Sequence, residues 1–144
     1  MIAVDTNLLV YAHRRESRFH VASFEVIRSL AEGHLRWAIP WPCIYEFFSV
    51  VTNPRIWKET ASSPAEAGSQ IGAWLNSPTL MLLNENDRFS EVLLPLILHP
   101  RVRGAVVHDA RIAALCLAHG VEVLLTKDRD FQHFPKLTVR DPTI

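Results

Sequence analysis

An α/β sandwich built on a mostly parallel sheet is the fold class this sequence predicts, and three observations point to it. Short β-type runs alternate with helical periodicities along the whole length. Acidic residues stand where strand-like runs give way to helices, the place where ligands bind in such folds. With 144 residues, 49% of them hydrophobic and 21% charged, the chain has the length and composition of one globular domain spanning 1–144, with neither repeat nor linker.

Taken in order, Ile2 to Val4 is a strand that ends on Asp5, and Leu8 to Ala12 reads as a buried turn of helix. From Arg18 to Glu32 the apolar residues, among them Phe19, Val26, Ile27 and Leu30, keep helical spacing, and Gly33 is placed to stop the helix. Trp37 to Ile39 is the second strand. Pro40 and Pro42 bracket the start of an almost wholly apolar helix, Cys43 to Thr52, that Asn53-Pro54 breaks. Asn53 to Ser63 lacks periodicity and reads as a connecting arm. Pro64 opens a helix to Leu75, Leu80 to Leu83 is the third strand, and Asp87 is placed to cap a helix through Leu98 that Pro95 should kink or break. Arg101 to Gly104 is a basic loop. Val107 to His119 is an amphipathic helix ending at Gly120, Val121 to Leu125 is the fourth strand, and Leu137 to Val139 is a short last one.

The longest apolar run, Val92 to Leu98, is far short of the ~20 residues that span a bilayer, and the N-terminus carries no basic leader. No membrane or export role is expected. Cys43 and Cys116 lie among apolar residues and are expected to be buried free thiols, which fits a reducing cytoplasm.

Four acids are candidates for the chemistry, although taken singly Asp5 and Asp128 also read as turn residues, Glu46 as half of a salt bridge and Asp109 as an acid at a helix start. Asp5 and Asp128 each follow a strand, Asp130 comes two residues after Asp128, and Asp109 stands at the start of a helix, turned toward its core side. Glu46 sits among Ile44, Tyr45, Phe47, Phe48, Val50 and Val51, so it is expected to be partly buried and in need of a partner. If Asp5, Glu46, Asp109 and Asp128 converge at one end of the sheet, their mutual repulsion demands a cation. The donors are hard oxygens and no His or Cys pair has zinc spacing, so the ion is Mg²⁺, with Mn²⁺ able to substitute. Among the histidines only His108, beside Asp109, is a site candidate.

The formal charge is zero, from 15 basic and 15 acidic residues. With the four acids gathered in a pocket, the remaining surface carries 15 basic against 11 acidic residues. Arg14, Arg15 and Arg18 follow the first acid, Arg101 and Arg103 precede Asp109, and Lys127 and Arg129 interleave with the last acids. An acidic metal pocket with a basic rim suits a phosphodiester, whose flanking phosphates the cations would hold.

These residues resemble the PIN-domain nucleases, most closely the VapC-type toxins of type II toxin–antitoxin systems. The resemblance rests on Val4-Asp5-Thr6-Asn7 with Leu8 to Ala12 behind it, Glu46, His108-Asp109-Ala110-Arg111-Ile112-Ala113-Ala114, and Thr126-Lys127-Asp128-Arg129-Asp130-Phe131, and it covers essentially the whole chain. It implies a PIN-like three-layer sandwich whose acidic site is Asp5, Glu46, Asp109 and Asp128, with Asp5, Asp109 and Asp128 on the metal. Asp130 would be an accessory acid, and Thr6, Asn7 and Thr126 would orient carboxylates or water. The implied activity is a Mg²⁺- or Mn²⁺-dependent endoribonuclease that cuts single-stranded or loop RNA, and the implied partners are a cognate antitoxin and a second copy of the chain.

Mechanistically, metal-activated water would attack the phosphodiester in line, leaving a 3′-hydroxyl and a 5′-phosphate. The alternative is a catalytically idle PIN-like domain that binds RNA or protein; the complete acidic set argues against it. A Mg²⁺-dependent phosphatase or phosphotransfer receiver fits less well, because the first acid lacks an Asp-x-Asp pattern and the last strand leads into Thr-Lys-Asp rather than a lone Lys.

Overall fold

The computed structural model describes residues 1–144. Five strands, β1 (Ile2–Val4), β2 (Trp37–Pro40), β3 (Leu80–Leu83), β4 (Val123–Leu125) and β5 (Val139–Arg140), form one sheet in the order β3-β2-β1-β4-β5. Every pairing is parallel, so the mostly parallel sheet expected from the alternation is wholly so. Ala3 and Val4 of the central strand are fully buried. That is the signature of a strand covered on both faces, and it explains why these strands read as unbroken apolar runs. Seven helices flank the sheet: α1 (Thr6–His13), α2 (His20–Glu32), α3 (Trp41–Val51), α4 (Pro54–Trp57), α5 (Pro64–Leu75), α6 (Phe89–Ile97) and α7 (Val106–Ala118). The three-layer sandwich is the result. No helix is long and apolar enough to cross a membrane.

The local reasons for most boundaries are visible. Helix α5 begins with Pro64 in its first turn and a reciprocal cap, in which the Ser63 hydroxyl accepts from the Glu66 N–H and the Glu66 carboxylate accepts from the Ser63 N–H. Gly120, with φ of 69°, takes the left-handed conformation that ends α7 and turns the chain into β4. Gly33 ends α2 for another reason: its φ is −77°, but a Cβ there would lie 2.8 Å from the Ser29 carbonyl oxygen. Cys43 and Cys116 are buried and free, as expected.

Three expectations are corrected. Asp87 does not cap α6; Asn86 accepts from the Arg88 N–H instead, and the capping position, Arg88, makes no side-chain cap. Pro95 does not break α6 but lies inside it, where it withholds one N–H from the Glu91 carbonyl. Both residues are exposed, so water can serve that carbonyl. The arm Asn53 to Ser63 is not featureless. Asn53 caps the single-turn helix α4 by accepting from the Arg55 N–H at 2.9 Å, and a 3₁₀ turn, Lys58–Thr60, follows. The residue pair that breaks α3 thus also starts the next helix.

The reciprocal cap makes Ser63 a measurable contributor to stability. Ser63→Ala should lower the unfolding free energy by about 1 kcal/mol with an unchanged denaturant slope, as read from urea unfolding followed by circular dichroism.

Candidate active site

The site is assembled from the C-terminal ends of neighbouring strands. Asp5 follows β1 directly and caps α1, its carboxylate accepting from the Thr6 N–H at 2.8 Å. Val4 and Leu125 are in register, and the Asp5 N–H donates to the Leu125 carbonyl at 3.0 Å, so Asp5 and Thr126 emerge side by side. The Thr126 hydroxyl donates to Asp5 Oδ2 at 2.7 Å and accepts from Asn7 Nδ2 at 3.1 Å and from the Asp128 N–H at 2.9 Å. Asn7 Oδ1 in turn accepts from the Lys127 N–H at 3.3 Å. Asp128 begins a 3₁₀ turn, Arg129–His133, by accepting from the Asp130 N–H at 2.8 Å. Thr6, Asn7 and Thr126 therefore hold the acids in place, through hydroxyl and amide groups that suit the role.

Glu46 approaches from α3 and accepts from the Thr6 hydroxyl at 3.1 Å. It is exposed, which corrects the burial expected from its apolar neighbours. Helix α3 buries Cys43, Ile44, Phe47 and Val51 but leaves Tyr45 67% and Phe48 37% exposed, so an apolar composition did not mean an all-buried helix. Asp109, in the first turn of α7, is half-buried, with the core beginning at its neighbour Ala110.

Asp5, Glu46, Asp109 and Asp128 line one cleft of about 360 Å³, and Thr6 and Asn7 line it with them. The tightest group differs from the expected ligand set. Asp109, Asp128 and Asp130 each bring a carboxylate oxygen within 4.8 Å of the others. Asp130, expected as an accessory, therefore stands in the tightest group, while both oxygens of Asp5 are engaged by hydrogen bonds.

Crowding has an electrostatic cost. Burial, reinforced by the charge of Glu46 and opposed by the bonds from Thr126 and Thr6, pushes the Asp5 carboxyl up to about 6. Asp109 is pushed up to about 7, first by burial and then by Asp128, Asp5, Asp130 and Glu46, with no hydrogen-bond donor to offset them. A group of hard oxygen donors that resist ionising together fits a divalent cation such as Mg²⁺ or Mn²⁺, which would relieve the repulsion.

The basic residues divide. Arg15, Arg18, Arg101, Arg103 and Arg129 are exposed. Arg14 is not part of a free rim: it is 7% exposed, its Nε donates to Glu16 at 2.7 Å and its Nη1 to the Thr60 carbonyl at 2.7 Å, and its guanidinium lies over the Trp57 ring. Lys127 is likewise held, donating to Asp141 at 2.9 Å and Thr143 at 2.8 Å with its ammonium over Phe19. These two cations are structural because partners distant in sequence reach them. His108 is exposed and lines a second groove with Tyr45 and Arg111; this groove adjoins the cleft through Glu46 and Asp109. Two residues that pattern did not single out, Tyr11 and Trp57, also line the acidic cleft. Tyr11 hid within an apolar helix and Trp57 within the unpatterned arm.

The raised acidities fix a sign. A neutral Asp109 favours the fold below its ordinary value of 3.8, and that advantage is lost as pH rises through about 7. Discounted for its partial exposure, relief of the repulsion is worth about 1–2 kcal/mol. In chelator, Asp109→Asn should raise the melting temperature by about 3–6 °C near pH ~8 and change it little near pH ~4, measured by scanning fluorimetry.

Comparison with known proteins identifies the family of the chain. The family model described as PIN domain matches residues 2–137. A VapC ribonuclease of Mycobacterium bovis is 32% identical over 142 residues, covering 99% of this chain and 95% of the relative. Ribonuclease VapC48 of Mycobacterium tuberculosis is 28% identical over 138 residues, covering 96% and 94%. Among solved structures, the VapBC2 complex of Rickettsia felis bound to a promoter DNA fragment contains a chain that matches with a TM-score of 0.66 at 20% identity over 97% of this chain and 98% of that one. Mycobacterium tuberculosis VapC20, described as a toxin cleaving the sarcin-ricin loop, matches with a TM-score of 0.67 at 16% identity over 92% and 93%. On the match of that family model along nearly its whole length, this chain belongs to the PIN-domain family.

Proposed function

We propose that the chain is an endoribonuclease that hydrolyses RNA phosphodiester bonds with Mg²⁺, Mn²⁺ able to substitute, and that it is the toxin of a toxin–antitoxin pair. The observation that carries the reading is the convergence of Asp5, Glu46, Asp109 and Asp128 in one cleft, with Asp130 against the last two, in a chain whose relatives are named VapC ribonucleases. Asp109, Asp128 and Asp130 would hold the ion, and Asp5 and Glu46 complete the acidic lining. A bound divalent ion supplies an acidified water and neutralises charge on the leaving oxygen.

The chain's own side chains do the rest. Glu46 is steadied by the Thr6 hydroxyl and is exposed to the cleft, so it is the carboxylate free to orient a water and take its proton. In-line attack forms a new O–P bond and breaks the bond to the 3′-oxygen, which takes a proton from solvent to become a hydroxyl, while the other fragment keeps a 5′-phosphate and Glu46 returns its proton to solvent. Arg101 and Arg103 before α7, Arg129 between Asp128 and Asp130, and Arg15 after α1 are the cations available for flanking phosphates. The whole chain would act as one nuclease domain, in the cytoplasm, as a homodimer restrained by its antitoxin.

End-labelled small RNA incubated with antitoxin-free protein tests the reading. Cutting is expected with Mg²⁺ or Mn²⁺, none with EDTA, and at least about a hundredfold less with Asp128→Asn. Ends should be 5′-phosphate and 3′-hydroxyl; a 2′,3′-cyclic phosphate would refute the water mechanism, and metal-independent cutting would refute the metal.

A further inference from the structure

We infer that Trp57, with Tyr11, forms a stacking wall for an unpaired RNA base beside the acids, which makes the arm from Asn53 to Thr60 the element that positions substrate. The inference rests on the nuclease reading and extends it to what the cleft recognises. The cleft of about 360 Å³ is of two kinds: acids and their hydrogen-bonding partners line part of it, and Val10, Tyr11, Val50 and Trp57 line the remainder. Hydrolysis of a phosphodiester asks nothing of an aromatic pair. A nucleobase does, because every base has a face that stacks on an aromatic ring, and it can do so only when it is not paired within a duplex.

The arm is built to hold one ring still. Trp57 Nε1 donates to the Val50 carbonyl at 2.8 Å, which fixes the indole against α3. The Arg14 guanidinium lies 4.0 Å from the centre of the indole and is itself anchored on Glu16 and Thr60. The Thr60 hydroxyl closes the turn on the Trp57 carbonyl at 2.7 Å. Between them Lys58 takes a φ of 54°, in a chain where no other residue besides glycine has positive φ. Strain kept at a residue next to the cleft, and a buried arginine spent on orienting one ring, are both accounted for if that ring meets substrate. Trp57 and Tyr11 would then hold an unpaired nucleotide, whatever its base, beside the scissile phosphate.

The experiment is fluorescence anisotropy on the full chain in EDTA, so that cutting does not interfere, with two labelled probes: a short oligoadenylate RNA and an abasic ribose-phosphate oligomer of equal length and charge. Trp57→Leu should weaken oligoadenylate binding about tenfold and leave abasic binding unchanged, Tyr11→Leu should act in the same direction, and Trp57→Phe should restore most of the loss. Melting curves establish that each variant folds; should Trp57→Leu not fold, Tyr11→Leu and Trp57→Phe carry the test. Equal loss on both probes, no loss on oligoadenylate, or wild-type protein that binds the two probes alike overturns the proposal. Base-dependent binding without metal-dependent cutting would sink the nuclease reading alone, whereas cutting without base-dependent binding would sink this one alone.

Discussion

The hydroxyl of Thr126 joins the ends of two parallel strands, and the acidic cleft is organised around that junction. It gives its proton to Asp5 and takes hydrogen bonds from Asn7 and from the backbone of Asp128, so the segments that follow β1 and β4 meet on one oxygen. The arrangement is possible because β1 and β4 are neighbours in register and end at the same level. Everything nearby follows from that alignment: Asp5 caps α1, Asp128 starts its 3₁₀ turn, and Asp109 and Glu46 come in from α7 and α3. The price is electrostatic. Hydrogen bonds stabilise the charge on Asp5 without offsetting its burial, and Asp109 has neighbours of its own sign and no donor. A fold that concentrates like charge at the edge of its core is poised to bind a cation.

Much of this was legible in the order of residues. Helix α5 was readable to its boundaries because Pro64 at its start and Asn76-Ser77-Pro78 after Leu75 each act within one turn of chain. The acids were legible as a set and not singly: Asp5 and Asp128 each have an ordinary use as turn residues, but four acids able to converge at one end of a parallel sheet do not. The misread features share a cause, which is distance. Whether Asn86 or Asp87 serves the start of α6 depends on how the chain arrives there. Arg14 reads as a surface cation until Trp57 and Thr60, more than forty residues away, fold back over it. Lys127 is absorbed by Asp141 and Thr143 in the same manner. Glu46 reads as buried in sequence because an apolar composition does not say which face of a helix a protein leaves uncovered. Asp130 entered the tightest acidic group through a 3₁₀ turn that has no periodic signature.

The neutral total charge conceals a division of labour that only the coordinates separate. Some cations hold the fold together: Arg14 fixes the arm, and Lys127 ties the turn after β4 to the C-terminal residues. Others, Arg15, Arg101, Arg103 and Arg129, remain exposed. An acidic cleft, exposed arginines and an aromatic wall are complementary to the three parts of a nucleic acid: the reacting phosphate, its neighbours and a base. Membership in the PIN-domain family is consistent with that correspondence, which is read from side chains and not from the family name.

The account depends most on the claim that these carboxylates are held for a divalent ion. Titration calorimetry of Mn²⁺ into chelator-treated protein near pH ~6.5, repeated in buffers of different ionisation enthalpy, tests it directly because protons displaced from the acids appear as a buffer-dependent heat. With Asp109 pushed up to about 7 and Asp5 to about 6, both are partly protonated there. The account predicts saturable binding that releases protons, with the release fading as pH approaches ~8.5. Absence of binding, or binding whose heat does not depend on the buffer, would contradict it.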